Sequence, residues 1–279
     1  MAGRLSKRHR YACASRFQEP SEQAMSDILV ETVDGVATVT LNRPMQRNAV
    51  TYDMWQGLAR IFTEFDSDPR VRCVILTGEG DDFSAGADIS EFDKVREGLQ
   101  DSKRYEVAVD AAGDAIYAIS KPTIAALRGY CLGGAAHLAM SCDFRIAARS
   151  AVFGIPAARL SIVYGVSATR KLFNLVGVTP AKRILYTGKR FAAEEALDIG
   201  FVDRVADNPL VDAGALAAEI AENAPLTIQG AKFILNGCAR GQLDREAAER
   251  KIDEASASLD YIEGRQAFKE KRAPRFLGK

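Results

Sequence analysis

Two stretches of small residues are the best places for chemistry: Phe83-Ser84-Ala85-Gly86-Ala87-Asp88-Ile89 and Gly129-Tyr130-Cys131-Leu132-Gly133-Gly134-Ala135-Ala136-His137. Each follows a β-rich run, so each brings nearly bare backbone to the end of a strand. The second also opens a helix, which places the N–H of Gly134 in a positive N-terminal field where it can polarise an oxygen. An N–H from the first stretch, that of Ala87, would complete a two-donor oxyanion hole. Tight turns that need glycine account for the same composition without any chemistry. Other catalytic groups are scarce. The five cysteines (Cys13, Cys73, Cys131, Cys142, Cys238) are scattered and never form a Cys-x-x-Cys pair. That argues against a disulfide framework and a zinc site and suits a reducing cytoplasm. There are two histidines, His9 and His137, so a His-based triad or metal cluster has one plausible member in the globular part.

The elements that must position these loops follow from periodicity. Ile28–Val33 and Val36–Leu41 are β-rich runs joined by Asp34-Gly35, a strong hairpin signal. Thr51 can cap a helix whose apolar positions Trp55, Leu58, Ile61, Phe62 and Phe65 keep the helical period. The run 72–77 is continuously apolar at Cys73, Val74, Ile75 and Leu76, as in a strand buried on both faces. A helix over 105–119, a strand over Thr123–Leu127, a short helix from Gly133-Gly134 and a strand over Phe144–Ala148 come next. Helices are expected over 166–176, 180–186, 192–198, 211–223, 225–238 and 243–268, with one strand among them at 201–205. Residues 1–25, rich in Arg and Lys without an apolar core, read as a disordered basic tail, and the chain as 26–206 followed by a helical region, 207–279. Lys+Arg and Asp+Glu each number 37, so no net charge attracts nucleic acid or an anionic membrane. No apolar run reaches the roughly 18–20 residues of a membrane crossing.

Several motifs occur in a specific order: Asn42-Arg43-Pro44, Asn48-Ala49, the segment 83–89, Pro122-Thr123-Ile124-Ala125-Ala126, the segment 129–134 and Cys142-Asp143-Phe144-Arg145-Ile146-Ala147. In this order the chain resembles the enoyl-CoA hydratase/isomerase (crotonase) superfamily. The resemblance runs on through Thr187-Gly188 to Val205 and reaches Glu263-Gly264 and 267–272, covering about 28–277. It implies an α/β fold, a crotonase-like ββα spiral core with a helical C-terminal oligomerisation region, assembled as a homotrimer or hexamer. It also implies an acyl-CoA substrate whose thioester carbonyl accepts hydrogen bonds from Ala87 and Gly134. Coenzyme A comes with the substrate, and no metal or further cofactor is expected. By the same resemblance Arg47 and Ala49 border the CoA nucleotide path, Ala85, Asp88 and Ile89 line the adenine and pantetheine side, and Leu132 and Gly133 belong to the substrate- and CoA-binding set. Phe268 and Lys271 close over CoA from the same or a neighbouring subunit. Surface solvation for Arg47 and Lys271, core packing for Phe268 and a loop cap for Asp88 are the competing readings.

The chain departs from the family where hydratases carry their two glutamates. His137 stands at the first position, and Ala157, directly after Phe153-Gly154-Ile155-Pro156, stands at the second. Water addition needs a positioned base and acid, and alanine supplies neither. His137, one helical turn after Gly134, is expected to look into the acyl pocket as an acid or base, or else to be a packed, hydrogen-bonded side chain. Tyr164 is the other catalytic candidate, because the region resembles a methylmalonyl-CoA decarboxylase of the superfamily; that enzyme has a histidine where Ala87 stands. The expectation is a cytoplasmic acyl-CoA lyase or isomerase that stabilises an enolate, with decarboxylation leading. Hydration through His137, Glu91 or Asp93 is the enzymatic rival, and a noncatalytic acyl-CoA or RNA binder is the rival of another class.

Overall fold

A computed structural model describes residues 27–279. The expected basic tail lies outside the described residues. Asp34 and Gly35, both at positive φ, turn the chain between β1 (Ile28–Val33) and β2 (Val36–Leu41), which pair antiparallel as the hairpin signal requires. Thr51 then caps α1 (Tyr52–Ser67), its side chain accepting from the Met54 N–H at 3.2 Å, and β3 (Cys73–Gly78) returns parallel to β2. A loop, α2 (Phe92–Val95) and α3 (Leu99–Ala118) lead to β4 (Thr123–Leu127), parallel to β3. Helix α3 starts six residues before the expected Tyr105. Its first turn follows Gly98, without a side-chain cap, and carries little apolar pattern to signal it.

After β4 come β5 (Tyr130–Leu132), α4 (Gly134–Ser141), β6 (Phe144–Ala148) and β7 (Val152–Gly154). Then follow α5 (Val166–Val176), α6 (Val178–Thr187), β8 (Arg190–Ala192), α7 (Ala193–Asp198) and β9 (Arg204–Ala206). The main sheet has the order β1-β2-β3-β4-β6-β9, and β5-β7-β8 form a second, smaller one. The smaller sheet is built of three-residue strands, too short to read from alternation. The last strand begins at Arg204, not Phe201, because Phe201 and Val202 turn inward and are fully buried.

The main sheet is covered on both faces. Val74 and Leu76 of β3, Ala125 and Leu127 of β4 and Ala147 of β6 join the core with Trp55, Phe62 and Tyr105. Their alternates Cys73, Ile75, Ile124, Ala126 and Ile146 meet Ala213 and Ala217 of α8 (Pro209–Ala221). Two buried faces explain the unbroken apolar run of β3, and each large side chain so buried contributes about 1.5–3 kcal/mol. Helices α9 (Pro225–Arg240), α10 (Arg245–Ser256) and α11 (Leu259–Glu270) complete the chain. The single helix expected over 243–268 is two, because Ser258 caps a fresh start: its hydroxyl accepts from the Tyr261 N–H at 3.0 Å. Lys232 anchors α9 to the body, pairing with Asp143 at 2.7 Å and donating to the Lys121 carbonyl at 2.8 Å. Among the described residues no helix is long and apolar enough to cross a membrane.

Candidate active site

The loops after β3 and β4, neighbouring parallel strands, meet beyond the carboxyl ends of those strands, the usual place for a site in such a sheet. The first loop is clamped on two sides. Ser84 donates to the Tyr130 carbonyl and accepts from Leu132, at 2.8 and 3.2 Å. Val50 donates to the Gly86 carbonyl at 2.8 Å and accepts from Asp88 at 2.9 Å. Bonds to the residues on either side of Ala87 follow the parallel ladder pattern, which turns the N–H of Ala87 away from Val50.

The second loop arrives through Gly133, whose N–H donates to the Gly154 carbonyl at 2.8 Å and whose φ of 52° suits glycine. Gly134 is the first residue of α4, with its N–H at the helix N-terminus. The Ala87 nitrogen lies 3.5 Å from where a Cβ on Gly134 would stand. Gly86 makes this approach possible: at φ 101° a Cβ there would lie 2.5 Å from the Leu132 carbonyl oxygen and 3.4 Å from the Gly134 nitrogen. Among the described residues neither the Ala87 nor the Gly134 N–H has an acceptor. Two adjacent, unused backbone donors can hold an oxygen that gains charge during a reaction.

Trp55 walls the second donor, its Cζ2 and Cη2 atoms 3.0 Å from a Cβ position on Gly134, so no side chain fits there. The indole is fixed by donating to the Tyr105 hydroxyl at 3.0 Å. Tyr164 donates to the Gly133 carbonyl at 3.0 Å. That carbonyl belongs to the peptide that carries the Gly134 N–H, so the phenol polarises the donor as well as holding it. Burial pushes the Tyr164 phenol up, helped by Cys131, Glu106 and Asp110, so it stays neutral and able to donate.

His137 turns away from this arrangement. Its ring is 1% exposed, lies against Gly113 of α3 and places Nε2 3.1 Å from Lys171 Nζ. Lys171 also bonds Asp114 at 3.1 Å, and Asp114 accepts from Ser167 at 2.6 Å. An ammonium has no lone pair, so Nε2 accepts. Burial first, then the charge of Lys171, lowers the His137 pKa to about 3. This is the packed, hydrogen-bonded histidine of the two expected alternatives. Ala157 is half-buried against the core. Glu91 is committed elsewhere, accepting from the Tyr52 N–H at 2.9 Å at the start of α1, and Asp93 is exposed.

The remaining expected positions divide into framework and surface. Asp88 caps a short turn, accepting from the Ser90 hydroxyl at 2.6 Å and pairing with Arg43 at 2.8 Å. Burial would raise its pKa, but the bonds from Ser90 and Arg43 outweigh it and hold the carboxyl low. The Ala49 carbonyl accepts from Arg43 at 2.6 Å, and the Ala85 N–H donates to the Arg47 carbonyl at 2.8 Å. Leu132 is buried, whereas Ile89 and the Arg47 side chain are exposed, the guanidinium 4.9 Å from the Tyr130 ring centroid. Phe268 and Lys271 stand exposed at the end of α11, which packs on α10. Sequence reasoning passed over Trp55, Tyr105 and Lys171. Their patterns are those of ordinary helix faces, and nothing local distinguishes them.

The enoyl-CoA hydratase/isomerase family model matches residues 31–279. The short-chain-enoyl-CoA hydratase of Clostridium acetobutylicum is 34% identical over 253 residues, 89% of this chain and 96% of that protein. The crotonyl-CoA hydratase of Syntrophomonas wolfei is 35% identical over 262 residues, covering 92% and 100%. A crystal structure of an enoyl-CoA hydratase/carnithine racemase from Magnetospirillum magneticum superposes with a TM-score of 0.87 at 35% identity, over 91% of this chain and 97% of that one. On sequence and fold together, the chain belongs to the enoyl-CoA hydratase/isomerase family, the crotonase superfamily.

Proposed function

We propose that Ala87 and Gly134 form an oxyanion hole for the thioester carbonyl of an acyl-CoA, and that the reaction is an enolate reaction other than hydration, with decarboxylation of a malonyl-type thioester leading. The observation that carries this reading is the pair of adjacent N–H groups without acceptors, beside two glutamate positions that hold a buried His137 bound to Lys171 and an Ala157. In decarboxylation the bond from Cα to the departing carboxylate breaks and its electron pair moves toward the thioester oxygen. The two donors meet that charge as it develops, and removing one such donor typically costs about 100- to 1,000-fold in rate. No base is needed to deprotonate carbon. Tyr164 acts through Gly133, keeping the hole's peptide in place and polarised.

On this reading Arg47, Ala49, Ala85, Asp88 and Ile89 follow the nucleotide and pantetheine arm, with Leu132 and Gly133 beside the thioester. Phe268 and Lys271 cover it from the same or a neighbouring subunit of a homotrimer or hexamer. Exposed apolar side chains on the last helices, including Leu235, Ile252 and Ile262, support such an assembly, and light scattering tests it. A cytoplasmic setting agrees with free Cys73, Cys131 and Cys142, whose burial pushes the Cys73 and Cys142 thiols up to about 12.

Hydration is the second reading, favoured by the names of the relatives from Clostridium and Syntrophomonas. A mass-spectrometric screen of enoyl, malonyl, methylmalonyl and hydroxyacyl-CoA thioesters separates the two. Carbon dioxide loss from a malonyl-type thioester with slow loss of crotonyl-CoA enone absorbance supports the proposal. Crotonyl-CoA hydration at about 10 per second or faster, near the median for enzymes, overturns it.

A further inference from the structure

We propose that Asp110 is the group that delivers a proton to Cα of the thioester enolate. This rests on the oxyanion-hole reading and supplies what that reading lacks, since neither position normally held by a glutamate offers a free acid. Asp110 lies on α3, five residues after the Tyr105 that holds Trp55 against Gly134. Its Oδ1 is 3.4 Å from where a Cβ on Gly165 would stand, and the preceding residue is Tyr164, whose hydroxyl bonds the Gly133 carbonyl. The carboxyl group's neighbour is thus joined by a single peptide bond to the tyrosine whose phenol bonds the Gly133 carbonyl.

The two carboxylates that act on Asp110 both have partners. Glu106 pairs with Arg96 at 2.8 Å, and Asp114 bonds Lys171 and Ser167. Asp110 has no hydrogen bond or ion pair among the described residues, although it is half-buried. A carboxyl group in that position is stable in its charged form only at a cost, and holding a proton relieves the cost. Burial first, then Asp114 and Glu106, raises its pKa against an opposing pull from Lys171. A structural carboxylate is arranged in the opposite way, with donors supplied to it, as Asp88 is.

In the step itself, the enolate's carbon–carbon π pair takes the proton of the Asp110 carboxyl group and forms the Cα–H bond. The oxygen's charge returns to the carbonyl double bond, and Asp110 is left as a carboxylate that regains a proton from water. Loss of carbon dioxide and addition of water to an enone give different acyl chains but both leave a thioester enolate that must be protonated at Cα. Run backwards, the Asp110 carboxylate removes a Cα proton from a saturated acyl-CoA, so the group is testable without knowing the physiological reaction.

The test is deuterium incorporation at Cα of butyryl-CoA in heavy water, followed by mass spectrometry, with calorimetric measurement of butyryl-CoA binding. The wild-type protein is expected to exchange. Asp110→Asn should exchange about 100-fold or more slowly, the usual effect of losing a positioned acid or base, with the dissociation constant unchanged within about threefold. Asp110→Glu should recover part of the rate. The wild-type rate should rise with pH through the titration of Asp110, which faces Glu106 and Asp114 on α3, Lys171 on α5 and Tyr164 in the loop before it, and the Asn variant should lose that rise. Because the folded state holds the carboxyl group's pKa above its ordinary 3.8, wild-type stability falls as pH climbs past that value. Asp110→Asn should therefore melt no lower than wild type at neutral pH, which a carboxylate serving only the fold would not permit. Exchange by Asp110→Asn at the wild-type rate overturns the proposal, as does a wild-type protein that binds butyryl-CoA and exchanges nothing. A wild-type protein that exchanges through Asp110 yet decarboxylates no malonyl-type thioester overturns the decarboxylation reading and leaves Asp110 standing.

Discussion

Gly113, inside α3, faces His137 so closely that an added methyl group would stand 2.4 Å from Nε2, 2.6 Å from Cε1 and 3.0 Å from Cδ2. Gly113→Ala therefore sets two effects against each other. Helix propensity favours alanine by about 0.5–1 kcal/mol. Contact favours glycine, because the ring must retreat by about 1 Å to reach ordinary van der Waals separation. The ring is 1% exposed and has packed atoms behind it, so the retreat carries an overpacking cost of about 1–3 kcal/mol. It also breaks the bond to Lys171 and leaves a buried ammonium with Asp114 as its one remaining hydrogen-bond partner among the described residues, for about another 1–3 kcal/mol. The net expectation is a loss of about 2–4 kcal/mol, or roughly 5–15 °C in melting temperature for a domain of this size. Thermal unfolding by circular dichroism measures it. The double variant Gly113→Ala with His137→Ala supplies the control: with the ring gone the methyl group has room, and the alanine should then restore its helix gain. If Gly113→Ala alone is as stable as wild type, the imidazole does not lie against α3. The packing role of His137 then fails, and the residue returns as an acid or base in the acyl pocket.

Acid should weaken the fold through the same histidine. The folded state refuses a proton that the unfolded chain takes up below about pH 6.5, so stability present above that value is lost on the way down to about pH 3, by about 1.4 kcal/mol per pH unit. His137→Gln keeps an acceptor for Lys171 and should flatten the slope between pH 7 and 5; equal slopes in the two proteins would sink the assignment. Gly86→Ala forces a Cβ to within 2.5 Å of the Leu132 carbonyl oxygen at a φ of 101°, which spreads the two loops. Butyryl-CoA exchange should drop about 100-fold, as for a lost oxyanion donor, and an unchanged rate would show that Ala87 and Gly134 do not act together. Asp143→Ala removes the partner of buried Lys232 and the acceptor for the Thr123 N–H at 2.8 Å. Urea unfolding should show a loss of about 3–5 kcal/mol, and a loss below 1 kcal/mol would mean that this pair does not hold α9 to the sheet.

The geometry ties stability and chemistry to neighbouring parts of the same two helices. On α3, Tyr105 orients the tryptophan that walls Gly134, Asp110 stands unpaired beside Gly165, and Gly113 and Asp114 receive His137 and Lys171. A shift of α3 along its axis would disturb the Trp55 wall against Gly134 and the buried cluster together. On α4, Gly134 supplies a donor at the N-terminus while His137, one turn later, is anchored from behind. His137 thus fastens from behind the helix that opens at Gly134.

The amino-acid sequence by itself determined whatever is settled within a few residues or by an ordered set of motifs. The Asp34-Gly35 turn, the Thr51 cap, the doubly buried β3 run and the two small-residue loops are all legible, because turn chemistry, capping and periodicity act locally. The order of the motifs placed the chain in its family. Sequence alone could place His137 one turn after Gly134, but not decide which way its ring points. That depended on Gly113 and Lys171, 24 and 34 residues away in opposite directions, which leave a space and offer a proton donor. The same distance hid the others. Trp55 becomes the wall of Gly134 through Tyr105, and Asp110 differs from Glu106 and Asp114, its neighbours on an apparently solvated face, through what the rest of the chain brings or fails to bring to each. Side-chain direction and partnership are properties of packing between distant segments, so only the tertiary structure decided them.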